Sequence, residues 1–297
     1  MMRAPRAWSV AVRQPDGGII ARRNELTRLS ERNRWARVPL IRGMFVLGES
    51  LTLGFKALSW SAQVATEEEV KPLTGAQIGW TMGLAFVFFA GVFILLPALA
   101  ADALSSDSDL LFSVIEGVIR LVLFVGYIWL IGRSKEIARV FEYHGAEHMS
   151  IHAYEAGEPL SIESVGRYNP EHPRCGTSFL LIVILGSIVL FTFLGQPGIL
   201  FLIVSRLVGI PIIAGLAYEV LRWSGTRPDG RLARILAAPG IWLQKLTTAV
   251  PGDDQIEVAI SSLVVALDDE QFADVSSRGN LLATAIEVRE AARSGGF

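Results

Sequence analysis

The four histidines of the chain, His144, His148, His152 and His172, all fall in one polar segment, and the sole cysteine, Cys175, lies just beyond the last of them. Imidazole and thiolate are donors that borderline-soft metal ions prefer, so this clustering points to metal chemistry. From Ser134 to Ala156 the composition is helical, and Gly157 supplies a stop. Within that helix, His144-Gly-Ala-Glu147-His148 puts two imidazoles on one face, one turn apart, where they can hold one tetrahedral ion. Glu147 beside them can take a proton from a water activated there. The order His-x-x-Glu-His is the inverted zincin pattern.

Helix geometry limits what completes such a site. At ~1.5 Å per residue, His152 stands ~12 Å above His144 and Glu155 ~16 Å above it, too far to share an ion with it on a straight helix. A third donor has to come from elsewhere. His172 or Cys175, in His172-Pro-Arg-Cys175, can supply it, as can Glu219 near the end of a later apolar stretch. This donor set suits zinc first and iron second. Each residue also has a plainer role. The two histidines can bond to headgroups or backbone carbonyls, Glu147 can pair with Arg139 or Arg174, and Cys175 can be a buried thiol. His152 and Glu155 can orient other groups from behind.

The elements that must position this segment are membrane helices. The chain is 51% apolar and its mean hydropathy is +0.43, more than soluble domains usually reach. Four apolar stretches, at about 78–101, 110–131, 179–194 and 199–221, each approach the ~20 residues that cross a ~30 Å hydrocarbon core. Gln196-Pro-Gly198 turns the chain between the last two. The loop after the first stretch carries Asp102, Asp107 and Asp109 and no basic residue. The next loop carries Arg133, Lys135, Arg139, Arg167 and Arg174, and the tail carries Arg222, Arg227, Arg231, Arg234 and Lys245. Basic loops stay inside, which predicts a multi-pass plasma-membrane protein with both termini and the histidine loop in the cytoplasm. The stretches themselves contain no His or Cys, which argues against metal transport. A net charge of −2 without a dense basic block excludes nucleic acid as a partner. One cysteine excludes an intrachain disulfide. Arg3, Arg6, Arg13, Arg22 and Arg23, with no apolar run between them, predict that there is no signal peptide.

Ahead of the spans, Trp8-Ser-Val-Ala-Val12, the turn Pro15-Asp-Gly-Gly18 and Ile19-Ile20 predict a small β-hairpin. A basic segment follows at 25–37. Across 39–64, Arg42, Glu49 and Lys56 recur every seven residues. That places them on one face and predicts an amphipathic helix in the membrane interface rather than a fifth span with three buried charges. Thr66 to Pro72 is a polar linker. Beyond the spans, 232–246 is amphipathic with an interruption at Pro239-Gly240, and 256–267 predicts a further helix. Glu116 and Arg206 lie inside spans and are expected to face protein, as an ion pair that fixes helix packing. The fold expected is mainly α, a polytopic membrane helix bundle of about four spanning helices. To it are added the N-terminal β-hairpin, the interfacial amphipathic helix and a cytoplasmic helical tail. The divisions are 1–37 (hairpin and basic segment), 38–72 (interfacial helix and linker), 73–221 (four-span domain with the histidine loop at 133–177) and 222–297 (tail).

Several of these motifs carry a resemblance. Tyr143-His-Gly-Ala-Glu-His148, Tyr154-Glu155, His172-Pro-Arg-Cys-Gly-Thr-Ser-Phe179, Tyr218-Glu219, Pro239-Gly-Ile-Trp-Leu-Gln244, Leu246-Thr-Thr248 and Gln255-Ile-Glu-Val-Ala-Ile260 resemble the YqhQ-like family of bacterial multi-pass membrane proteins. The resemblance covers almost the whole chain. The family is described as predicted metal-dependent enzymes, so the resemblance implies a metal site. There are two departures. Family members open with a glycine-rich stretch bearing an acidic residue ahead of Met-Met-Arg, whereas this sequence starts at Met1-Met2-Arg3. Val250 stands where the family carries Glu. The function expected is a metal-dependent hydrolase working at the cytoplasmic interface on a lipid-linked or membrane-peptide substrate. His144 and His148 would hold zinc with His172 or Cys175, Glu147 would act as general base, and Arg174 would stabilise an anionic transition state. The alternative is a non-enzymatic scaffold or assembly factor with a closed structural metal site, its tail docking a partner.

Overall fold

The computed structural model describes residues 1–26, 34–65, 75–105, 108–173, 175–194, 199–226 and 230–294. The linker at 66–72, the Gln196-Pro-Gly198 turn, Arg174 and most of the basic segment lie outside these residues. The protein is mainly helical with one small antiparallel sheet, and it divides into two units. One unit gathers three separate chain segments, Met1–Val70, Lys135–His172 and Thr247–Phe297; the other gathers Lys71–Ser134 and Pro173–Leu246.

In the first unit, β1 (Met2–Arg3), β2 (Ala7–Arg13) and β3 (Ile19–Glu25) form the sheet in that order. The β2–β3 hairpin is the expected one, with Val10 opposite Arg22 and Arg13 opposite Ile19. Its alternation does not separate an inside from an outside, because β2 is buried on both faces. Trp8, Val10 and Val12 pack on Leu53 and Ala57 of α1 (Ile41–Ala65). On the other face Ala11 packs with Val258 and Val265 of α10 (Asp253–Ala266), and Ser9 Oγ donates to the Ser262 carbonyl at 2.5 Å. The seven-residue spacing on α1 resolves in part: Glu49 is ion-paired with Arg3 of β1, while Met44, Leu51, Phe55 and Leu58 are exposed.

Helix α10 is the centre of this unit. Every residue from Gln255 to Ala266 except Glu257 is buried. Asp253 and Asp254 complement its N-terminal dipole, and Gln255 Oε1 accepts the Gly252 N–H at 2.6 Å. Against it lie α5 (Lys135–Glu155), whose Ala146, Met149 and Ala153 share its core, and α12 (Ala283–Arg293). The short α6 (Ile162–Val165) and α11 (Asp269–Ser277) complete the layer. The segment expected as a separate tail therefore supplies the core helix of a mixed unit.

The second unit holds four helices long and apolar enough to cross a membrane, over Gly79–Leu104, Leu110–Ile131, Thr177–Leu194 and Val204–Gly225. These coincide with the four predicted stretches and fit a membrane protein; α1 is not among them. The first is not one regular helix. α2 (Gly75–Ala90) passes through a π-helical turn at Gly91–Leu95 into α3 (Leu96–Leu104). Pro97 has no N–H for the Phe93 carbonyl four residues back, and the wider turn sits at that break. α4 (Asp109–Ile131), α7 (Thr177–Leu194) and α8 (Ile199–Gly225) follow. α9 (Arg231–Thr247) is continuous through Pro239, so the expected interruption is absent. Pro239 removes a single helical hydrogen bond, and packing holds the rest: Leu243 and Gln244 are fully buried, and Gln244 Nε2 donates to Ser178 Oγ at 3.2 Å.

Candidate metal centre

Helix α5 has two faces. Ala146, Met149, Ser150 and Ala153 are buried. The i, i+4 spacing of His144, His148 and His152 puts these residues on the opposite side. Their rings meet two backbone segments. His144 Nδ1 lies 2.8 Å from the Thr247 carbonyl oxygen, and His148 Nδ1 lies 2.6 Å from that of Pro170. A carbonyl oxygen only accepts, so each Nδ1 carries a proton, and the nitrogen of each ring that can act as a metal ligand is Nε2. The two ring centroids are 4.4 Å apart, and one ring nitrogen of each lies within 4.8 Å of the other's. Two donors at that spacing can grip one ion.

Gly145 admits both segments. A Cβ at this position would stand 2.2 Å from the Ala249 carbonyl oxygen and 3.1 Å from Pro170 Cβ. Without one, the 247–249 segment closes on the helix, and the Ala249 N–H bonds the Phe141 carbonyl at 3.0 Å. The glycine between the two histidines thus permits the contacts that set their tautomers.

His152 and His172 differ. His152 Nε2 donates to the Glu171 carbonyl at 2.9 Å, and its ring stacks on Tyr168 with centroids 5.8 Å apart. The proton is therefore on the opposite nitrogen from that of His144 and His148. His172 is buried and its Nε2 faces the Glu155 carboxylate at 3.4 Å. Its ring lies 4.4 Å from that of His152 and 5.7 Å from that of His148. The four imidazoles form one row, in which His144 and His148 turn Nδ1 to carbonyl oxygens and His172 turns Nε2 to a carboxylate.

Glu147 is ion-paired with the Met1 amino group and is 32% exposed. Arg139 reaches Tyr143, and that hydrogen bond is the main reason its pKa is raised. Cys175 and Glu219 belong to the other unit. Cys175 is buried, with Sγ 3.1 Å from Thr177 Oγ1 and accepting the Thr177 N–H at 3.4 Å; Glu219 is half-buried on α8. The residues sequence reasoning missed are the two that supply the carbonyl acceptors, Pro170 and Thr247. They act through main-chain atoms and leave no side-chain signature, although Gly145 was a signal that some backbone approaches there.

A family described as a protein of unknown function, DUF1385, matches residues 38–269, a range that takes in the whole histidine segment. The uncharacterised protein YqhQ of Bacillus subtilis is 31% identical over 286 residues, which span 91% of this chain and 90% of that protein. No solved structure matches. Neither the family nor the relative carries an assigned activity, so a metal reading rests on side-chain geometry alone. By the extent of both matches, the chain belongs to the DUF1385 family.

Proposed function

We propose that the chain is a membrane-embedded, metal-dependent hydrolase, with His144 and His148 as two ligands of a zinc ion. The supporting observation is that both Nδ1 atoms are held by backbone carbonyls, which fixes the two rings on one helix face and makes Nε2 of each the ligating atom in this reading. The third donor in this reading is His172 or Cys175, the two donors of His172-Pro-Arg-Cys175. Two imidazoles with a further imidazole or a thiolate suit zinc, with iron second. A bound divalent ion supplies Lewis acidity. Glu147, one residue from His148 and partly exposed, accepts the proton of the attacking water on its carboxylate, exchanging its Met1 contact for the substrate side. Arg174 meets the negative charge that develops on the substrate.

In this reading the site lies at the cytoplasmic face, set there by the basic loops. α1 lies in the interface with Leu51, Phe55 and Leu58 toward lipid. The substrate is accordingly lipid-linked or a membrane peptide. A structural metal site in a scaffold is the competing reading, and one observation weighs against its docking tail: residues 253–266 are core.

Metal content by mass spectrometry of detergent-purified protein tests the proposal. Near-stoichiometric zinc or iron in the wild type, lost in His144→Ala/His148→Ala, is the expected result. Glu147→Gln should keep the metal and lose the cellular phenotype that the double variant loses. Absence of metal in the wild type after reconstitution with zinc and iron would overturn the hydrolase.

A further inference from the structure

The unit with the four long helices carries a charged network separate from the histidine row. Glu116 on α4, its side chain 4% exposed, bridges two arginines. One oxygen takes Arg120 Nη2, one turn along the same helix, and the other takes Arg206 Nη2 of α8 at 2.7 Å. Arg120 Nε donates at 3.0 Å to the Phe93 carbonyl, to which Pro97, four residues on, has no N–H to donate. The Arg206 guanidinium carbon sits 3.7 Å from the centroid of the Phe191 ring. Gly209 makes room for that ring, since a Cβ there would lie 2.8 Å from Phe191 Cε1.

The charges do not cancel. Two guanidiniums face one carboxylate, which leaves one positive charge in excess. Among the described residues, the charged groups acting on Arg206 are Glu116 and Arg120, and Arg206 Nε is buried with no hydrogen-bond partner. An uncompensated cation among apolar helices is costly. The side chains of Arg120 and Arg206 keep 14% and 13% exposure, so an incoming group can touch them. Glu116 and Arg206 each lie seven residues beyond the start of their helix. At ~1.5 Å per residue that is ~10 Å in, a depth from which an arginine reaches toward the headgroup layer.

We propose that Glu116, Arg120 and Arg206 form a binding site for a monoanionic oxyanion, namely the phosphodiester of an anionic phospholipid. The guanidiniums supply planar paired donors that match phosphate oxygens. Glu116, paired with both guanidiniums, competes with the incoming anion for them and so moderates their affinity.

The test uses the full chain, purified in detergent and stripped of lipid, with thermal stabilisation and retained lipid as readouts. Phosphatidylglycerol should stabilise the wild type and be retained, and phosphatidylcholine should not. Arg206→Gln should weaken phosphatidylglycerol binding by about thirtyfold or more. Inorganic phosphate reproducing the stabilisation, with the same sensitivity to Arg206→Gln, would support the site and assign its occupant to a free anion. Glu116→Gln keeps both arginines and removes the competing carboxylate, so it should bind phosphatidylglycerol more tightly and regain with that lipid whatever stability it loses. Equal stability of the wild type in all three additives, with Glu116→Gln destabilised alike in each, would overturn the proposal and leave a structural pin.

Discussion

A single methyl group at position 145 should undo the arrangement around His144 and His148. Alanine is the better helix former by about 1 kcal/mol, so on propensity alone Gly145→Ala would stabilise α5. The space at 145 is taken, however, by the Ala249 carbonyl at 2.2 Å and by Pro170. Forcing that backbone outward should cost about 1–3 kcal/mol and pull both carbonyl acceptors away from the imidazoles. Thermal unfolding followed by circular dichroism should show a lower midpoint, and metal retention should fall with it; a raised midpoint would mean that 247–249 does not close on the helix. At this scale the i, i+4 histidines were legible because side-chain spacing on a helix is fixed. What sets their tautomers was not, because a carbonyl oxygen looks the same behind every residue. The intramembrane charges show a different gap. Reading Glu116 and Arg206 as a closed pair leaves out Arg120, one turn along the same face, and with it the excess positive charge.

Among the elements, the helix expected at 256–267 is present as α10, but its place in the fold is not legible in the sequence. Amphipathic periodicity marks a helix with one wet face. α10 is buried between the sheet, α5 and α12, so Val258-Ala-Ile-Ser-Ser-Leu-Val-Val-Ala266 carries no such stripe. Its C-terminal end is capped by a buried side chain from α12. Arg289 donates to the carbonyls of Val264, Leu267 (2.8 Å) and Asp268 (3.2 Å). Burial, the largest influence, lowers the Arg289 pKa, a penalty these bonds offset. Arg289→Met should leave buried carbonyls unpaired and cost about 2–4 kcal/mol, measured by denaturant unfolding. The opposite end of α10 is tied to β2 through Glu257 and Arg13 at 2.7 Å. The hydrogen bond from Arg13 is the main cause of the lowered Glu257 pKa. A carboxylate with a lowered folded-state pKa stabilises the fold above the ordinary value of 4.5, and that contribution is lost as pH falls through the lowered value. Glu257→Gln should therefore be less stable than wild type at neutral pH, and the difference should shrink as acid protonates Glu257 in the wild type. A gap that is constant with pH would mean that the ion pair contributes nothing.

For the molecule as a whole, the four spans were legible because bilayer thickness sets helix length, and each stretch has its helix. The grouping of segments was not legible. One unit is assembled from 1–70, 135–172 and 247–297, and contacts so far apart in the chain leave no local pattern. Orientation is the property that links scales. The histidine segment can meet cytoplasmic substrates only if the chain just beyond the first span, at Ser105, faces the other side, as the distribution of arginines predicts. The sequence makes this simple to test, because Cys175 is its one cysteine. In a Cys175→Ser background, Ser105→Cys and Glu158→Cys place single thiols at the end of the first span and in the exposed turn after α5. A membrane-impermeant maleimide on intact cells should label the first and leave the second untouched until the membrane is permeabilised. The reverse pattern would place the histidine row outside the cell, where thiols are not kept reduced. A thiolate ligand would then be exposed to oxidation, and the case for a zinc hydrolase built on His144 and His148 and acting on cytoplasmic substrates would fall with the orientation.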